Sequence, residues 1–333
     1  LFSIEFQASW YKESCAKERV EMTDKLAFVF PGQGSQQVGM LADYLGEPMV
    51  QETFAEAAEV LGLDLLKMVS EGPVGQLNQT ENTQPALLVS SVALWRLWCD
   101  RQGEMPAMMA GHSLGEYSAL VCAGAMNFAD GVRLVRLRGL FMQDAVAPGE
   151  GAMAAIIGLD DADVVTACEQ AAAGEVVEAV NFNAPGQVVI AGQVAAVKRA
   201  VECAREAGAK RAIELPVSVP SHCALMKPAA VRLQKELQGI ELVEPVIPVV
   251  QNVSAEVSSD PAQLKANLVA QLYSPVRWVE SVEAMMAAGV GRFAECGPGK
   301  VLAGLNKRIA RRAPIATLES ADAMAQMLAE ANQ

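Results

Sequence analysis

The sequence predicts an α/β protein in two parts, a large domain built on a parallel sheet and a small antiparallel unit inserted into it. Three stretches carry that prediction. Residues 105–110 form an apolar run that meets the turn Gly111-His112-Ser113-Leu114-Gly115, followed by an apolar helical pattern over 117–126. Residues 26–30 are a second apolar run of strand length, broken by Pro31-Gly32-Gln33-Gly34-Ser35-Gln36 before a helix-like pattern over 38–45. Between Gly149 and Pro220 the predicted order changes to βαββαβ.

The turn after residue 110 has the Gly-x-Ser-x-Gly spacing of a nucleophile elbow. Glycines flank such a serine because the turn leaves no room for side chains, and the hydroxyl then stands at the start of a helix whose free N–H groups favour developing negative charge. On this reading the large domain is α/β-hydrolase-like, and Ser113 is the candidate nucleophile. The first glycine-rich turn is not a phosphate loop, since the Lys-Ser/Thr ending is missing and Gly-x-Gly-x-x-Gly is incomplete. It is either an ordinary tight turn or a donor of a backbone N–H to a neighbouring site.

Helical patterns follow at 50–61 and 85–99. In the second, Thr83 is the expected cap, Pro85 suits the first turn, and Leu87, Leu88, Leu94, Trp95 and Trp98 form a core face. Residues 129–146 make a helix on which Arg138 falls between Leu134, Leu137 and Phe141, while Arg133 and Arg136 point elsewhere. A guanidinium on an apolar stripe calls for an anionic partner or a route to the surface. Three readings stay open: an internal salt bridge, a snorkelling side chain, or a fork for a substrate carboxylate.

In the inserted unit, strand 153–157 leads to a helix over 160–172 capped by Asp160 and a strand over 176–182. The turn Asn183-Ala184-Pro185-Gly186 then gives strand 187–191, helix 194–207 stopped by Gly208, and strand 211–217. This is a ferredoxin-like subdomain over 149–220, expected to form one wall of a cleft, with no residue that announces chemistry. The large domain is then discontinuous, 22–148 and 221–333. Beyond the insertion come an apolar run at 246–250, helices over 261–272 and 276–288, a short strand at 292–295, and a helix over 301–312. Residues 1–21 read as a leader outside the fold, with Met22 as the natural start.

There are two histidines, His112 and His222. His112 adjoins Ser113 on a strained turn, where neighbouring side chains diverge. His222, in Pro220-Ser221-His222 at the domain junction, is therefore the remaining imidazole base for Ser113, if it is not simply a structural loop histidine.

Composition narrows the class. With 52% hydrophobic and 20% charged residues the chain can bury a core, and a net charge of −13 argues against a nucleic-acid binder. The seven cysteines are scattered without C-x-x-C pairing, which favours reduced thiols in a cytoplasmic protein and no metal site. No apolar stretch approaches the length of a membrane span.

Five motifs stand out together: Phe30-Pro31-Gly32-Gln33-Gly34-Ser35-Gln36, Gly111-His112-Ser113-Leu114-Gly115-Glu116, Arg138-Gly139-Leu140-Phe141-Met142-Gln143, Pro220-Ser221-His222 and Glu295-Cys296-Gly297-Pro298-Gly299. As a set they resemble the malonyl-CoA:acyl carrier protein transacylases of type II fatty acid synthesis. The resemblance runs in order and spacing from Met22 to the C-terminus. It implies that Ser113 attacks the malonyl thioester, that His222 moves the proton, and that Arg138 pairs with the free carboxylate. It further implies an oxyanion hole from the backbone N–H groups of Gln33 and Leu114, and a main-chain carbonyl at Gln271 that orients the imidazole. The phosphopantetheine thiol of acyl carrier protein would take the acyl group from a malonyl-serine ester, with no permanently bound cofactor and no metal. Acyl carrier proteins are acidic, so docking is expected on Lys307, Arg308, Arg311 and Arg312, at helical spacing, with Lys198, Arg199 and Arg205 as a second patch. A monomer is expected. A serine thioesterase of the same fold, a methylmalonyl-preferring transferase and a non-catalytic scaffold are the competing readings.

Overall fold

A computed structural model describes residues 25–217 and 219–331. The expected leader, 1–21, lies outside the described residues.

Five parallel strands form the main sheet. β1 (Lys25–Phe30), β2 (Met108–Gly111), β7 (Val249–Val250), β8 (Val290–Glu295) and β9 (Ile315–Thr317) lie in the order β7-β2-β1-β8-β9. β1 and β2 are apolar on both faces because helices cover both. One face packs under α1 (Pro48–Leu61), α4 (Thr80–Asp100), α5 (Gly115–Cys122) and α6 (Phe128–Asp144), with Phe28, Phe30, Trp95 and Trp98 in its core. The other packs against α11 (Trp278–Ala287) and α12 (Val301–Ile309) through Ala27, Val29, Trp278 and Phe293. Short helices α2 (Leu65–Glu71) and α3 (Val74–Leu77) precede α4, and α9 (Lys227–Gln238), α10 (Pro261–Ala270) and α13 (Ala321–Ala331) complete the helical layers.

The second sheet is antiparallel, with β3 (Gly151–Ile157), β4 (Val177–Ala184), β5 (Gln187–Gln193) and β6 (Arg211–Glu214) in the order β4-β5-β3-β6. Helices α7 (Asp161–Ala172) and α8 (Val194–Glu206) pack on one face around Ile156, Val164, Ile190 and Val197. The order matches the ferredoxin-like expectation. Its other face covers Cys223 with Met153, Val180, Val189 and Ala191, which fixes the segment that carries His222. β4 is also tied to the large sheet's side by bonds between Phe182 N and Val276 O (3.0 Å) and between Val276 N and Val180 O (2.8 Å).

Four local expectations need correction. Residues 38–45 form turns and a single 3-10 turn at Ala42–Tyr44, because Gly39 (φ 87°) and Leu41 (φ 69°) sit in the left-handed region and interrupt a helix. Thr83 is not a cap, since α4 begins at Thr80 and Pro85 lies inside it. Pro85 leaves the Glu81 carbonyl without its helical donor, and Arg136 Nη1 of α6 supplies one at 3.1 Å. Asp160 occupies the N-cap of α7 but makes no side-chain capping bond. Finally, α12 ends at Ile309, where Ala310 leaves helical geometry before Pro314 and β9, so Arg311 and Arg312 are not at helical spacing with Lys307 and Arg308.

Candidate active site

Parallel strands deliver their carboxyl ends to one edge of the sheet, and the site is built there. Ser113 follows β2, Gln33 follows β1, and Gln251 and Asn252 follow β7. The elbow needs its glycines. A Cβ on Gly111 would lie 1.9 Å from the Gly115 carbonyl carbon, and one on Gly115 would lie 2.0 Å from the Phe30 carbonyl oxygen. Ser113 itself has φ 52°, a left-handed conformation that costs an ordinary residue about 1–2 kcal/mol. Asn252 holds it there: its Oδ1 accepts the Ser113 N–H at 2.7 Å and its Nδ2 donates to the Gly111 carbonyl at 2.6 Å.

The Pro31–Gln36 turn abuts the elbow so closely that a Cβ on Gly32 would sit 2.4 Å from the His112 carbonyl oxygen. The N–H groups of Gln33 and Leu114 donate to no group among the described residues.

His222 reaches Ser113 from the far side of the junction. Its Nε2 lies 2.8 Å from Ser113 Oγ, and its Nδ1 lies 2.7 Å from the Gln271 main-chain oxygen. A carbonyl only accepts, so Nδ1 carries the hydrogen and Nε2 presents its lone pair to the serine hydroxyl. His222 also has a left-handed φ of 67°, and its own N–H donates to the Leu272 carbonyl at 2.9 Å. Burial first, and the Arg138 guanidinium second, push its pKa down to about 3, against the pull of the Gln271 carbonyl. It is neutral at pH 7, the form a base must have.

Arg138 is 1% exposed. It does not snorkel and has no salt bridge; no carboxylate among the described residues comes within 4 Å of it. Its guanidinium donates only to neutral oxygens: Gln84 Oε1 (2.8 Å), Gln271 Oε1 (3.0 Å) and Ser113 Oγ (3.2 Å). The Tyr117 ring lies beneath it at 5.3 Å, and its buried Nε has no hydrogen-bond partner. The guanidinium is thus desolvated beside the Ser113 hydroxyl, with no directly bound carboxylate among the described residues.

Sequence reasoning singled out Ser113, His222, Arg138, Gln33, Leu114 and Gln271, and these converge. It missed Asn252, Glu116, Gln84 and the side chain of Gln271. The buried Glu116 carboxylate accepts from Asn252 N (2.9 Å), Gln271 Nε2 (2.9 Å) and Gln251 Nε2 (3.3 Å). A polar Gln-Asn pair at the end of an apolar strand was a readable signal for Asn252. The subdomain also contributes a side chain, contrary to expectation: Asn183 Oδ1 lies 2.7 Å from Nε2 of the half-buried His112.

Residues 27–329 match the family model of the acyl transferase domain. The malonyl CoA-acyl carrier protein transacylase of Escherichia coli K12 is 59% identical over 91% of this chain and 99% of its own. That of Salmonella typhimurium is 58% identical over 86% and 93% respectively. Among solved structures, an acyl carrier protein S-malonyltransferase from Vibrio cholerae superposes with a TM-score of 0.90 at 57% identity, covering 91% of this chain and 99% of that one. A malonyl-transacylase solved with its type II PKS acyl-carrier protein gives 0.91 at 53% identity, covering 92% and 100%. On the strength of this similarity over nearly its whole described length, the chain belongs to the malonyl-CoA:acyl carrier protein transacylase family.

Proposed function

We propose that the chain moves malonyl groups from malonyl-CoA to the phosphopantetheine thiol of acyl carrier protein, in two half-reactions joined by an ester on Ser113. One observation carries this reading: the Ser113 hydroxyl is within hydrogen-bond reach of both a neutral imidazole, at 2.8 Å, and a buried cation, at 3.2 Å. In the first half-reaction Ser113 Oγ attacks the thioester carbonyl while His222 Nε2 takes its proton. The tetrahedral oxyanion is received by the N–H groups of Gln33 and Leu114, and loss of one such donor typically slows a reaction by about 10²- to 10³-fold. Collapse expels the CoA thiolate, which recovers the proton from His222. In the second, the pantetheine thiol gives its proton to His222, its sulfur attacks the ester carbonyl, and the departing Ser113 Oγ takes the proton back from His222.

Arg138 selects the acyl group by its free carboxylate, an anion that acetyl-CoA lacks. A methylmalonyl group carries the same carboxylate, so the guanidinium does not separate the two. No resident cofactor or metal is needed, and malonyl-CoA as donor puts the reaction in the cytoplasm. The partition into 22–148 with 221–333 and an inserted 149–220 belongs to the same reading, as does a monomer.

For the carrier protein, Lys307, Arg311 and Arg312 offer exposed cations. Arg308 is already engaged with Gln187 Oε1 and the Pro185 carbonyl, so it is a weaker docking candidate. Arg199 and Arg205 of the second patch are likewise held by Glu175 and Glu202.

The test is intact mass after mixing with malonyl-CoA. The wild type should gain one malonyl group, Ser113→Ala none, and holo-carrier protein should discharge the adduct onto itself. Release as free malonate, unaffected by carrier protein, would instead favour the thioesterase.

A further inference from the structure

Arg138 and Glu116 are both buried, oppositely charged, and not in contact. Between them stands the Gln271 side chain, with Oε1 accepting from Arg138 Nη2 at 3.0 Å and Nε2 donating to Glu116 Oε2 at 2.9 Å. The same Nε2 donates to the Ser113 carbonyl at 2.9 Å. Burial pushes the Glu116 carboxyl up, while the groups that bond it, Asn252 N–H, Gln271 Nε2 and Gln251 Nε2, are all donors and, with the Arg138 charge, pull it toward the ionised form.

We infer that Glu116 is the remote counter-ion of Arg138, acting through the Gln271 amide as a specificity-determining positioning residue. This rests on the reading of Arg138 as the substrate-carboxylate site.

An amide has two ends, and Glu116 fixes which one meets the guanidinium. With the NH₂ drawn to the carboxylate, the oxygen is left facing Arg138, so the cation is oriented by a neutral acceptor rather than quenched by an anion. A carboxylate placed directly on Arg138 would occupy the fork that a malonyl group needs. With no counter-charge at all, the guanidinium would be stranded in a low-dielectric interior. Glu116, one amide removed, balances the charge and leaves the fork open. It also repels an incoming carboxylate, so the site binds dicarboxylic acyl groups less tightly than the bare cation would.

That last consequence has a sign that a purely structural role lacks. Glu116→Gln keeps the shape and deletes the charge. The variant should melt lower than wild type on its own, yet gain more thermal stability from added malonate, with a malonate affinity increased on the order of tenfold. Its ratio of malonyl to acetyl transfer should rise. Glu116→Asp, which keeps the charge but not the packing, should retain a wild-type malonate response.

A charge cycle covers the case in which Glu116→Gln fails to fold. Arg138→Met strands Glu116, and adding Glu116→Gln to it should raise the melting temperature. A malonate response in Glu116→Gln equal to or below that of wild type, or a double variant no more stable than Arg138→Met, overturns the inference. If instead the wild type shows no malonate response and no malonyl preference, it is the reading of Arg138 itself that fails.

Discussion

Arg138→Ala should separate malonyl from acetyl transfer, and the size of the separation follows from the residue's surroundings. The guanidinium is fully buried and bonded to three neutral oxygens, so a substrate carboxylate would be its only directly bound anion. Breaking a buried, hydrogen-bonded ion pair by deleting one partner costs about 3–5 kcal/mol. At about 1.4 kcal/mol per tenfold, malonyl kcat/KM should fall roughly 10²- to 10⁴-fold. Acetyl transfer loses only the bond to Ser113 Oγ, worth about 1 kcal/mol and hence roughly fivefold. The variant also strands the Oε1 atoms of Gln84 and Gln271, which lowers stability, so both rates must be normalised to folded protein. Transfer of labelled malonyl and acetyl groups from CoA to holo-carrier protein, read as kcat/KM for each, gives the ratio directly. Equal losses for the two donors would refute the assignment of Arg138 to the carboxylate.

Further outcomes follow from the same geometry. Because burial holds the His222 pKa near 3, the acid limb of kcat/KM should lie well below pH 6, not at the ordinary imidazole midpoint; a midpoint near 6.5 contradicts the buried, carbonyl-bound histidine. The linkage has the same origin: the unfolded chain protonates His222 below about 6.5 and the folded one only near 3, so this histidine makes stability fall as pH drops through that window, measurable as the melting-temperature difference from a His222→Gln variant. Asn252→Ala removes both straps from the elbow and should cost about 2–4 kcal/mol in urea unfolding, with kcat reduced more than KM is raised. Glu295, pushed up to about 7 by burial against the opposing pull of the Ala303 and Leu302 N–H bonds, is protonated longer in the folded state than in the unfolded one; wild type should therefore lose stability relative to Glu295→Gln as pH rises from about 4.5 to 7, and a flat difference would refute this.

The fold was legible where the signal is local. Apolar runs bounded by glycine and proline marked β1, β2 and the inserted βαββαβ unit, because strand length and helix period are written in neighbouring residues. Residues 38–45 show the limit: their apolar spacing imitates a helix, but left-handed backbone at Gly39 and Leu41 makes turns. Pro85 shows another. A proline inside a helix is disfavoured because it orphans a carbonyl, and nothing near residue 85 reveals that Arg136, on a different helix, bonds the Glu81 oxygen. The site divided the same way. Ser113 and its glycines form one contiguous motif, whereas the bonds that Asn252 and Glu116 make run across the sheet edge, and neither the Gln-Asn pair nor the glutamate that ends the elbow motif names its distant partners.

The histidine's partner bears on what the acyl-serine does next. In a triad the imidazole leans on a carboxylate, whose charge stabilises the imidazolium. Here Nδ1–H leans on the neutral Gln271 carbonyl while Arg138 adds a second positive charge nearby, and both leave Nε2 a weak base. Such a base discriminates sharply by acidity. A thiol of ordinary pKa near 8.5 surrenders its proton roughly seven pKa units more readily than water at 15.7. The same weakness that slows attack by water leaves attack by a pantetheine thiol accessible, since a thiolate is formed far more easily than hydroxide. On the proposed mechanism, the choice of transfer over hydrolysis follows from a carbonyl standing where a hydrolase has its acid, reinforced by the Arg138 guanidinium.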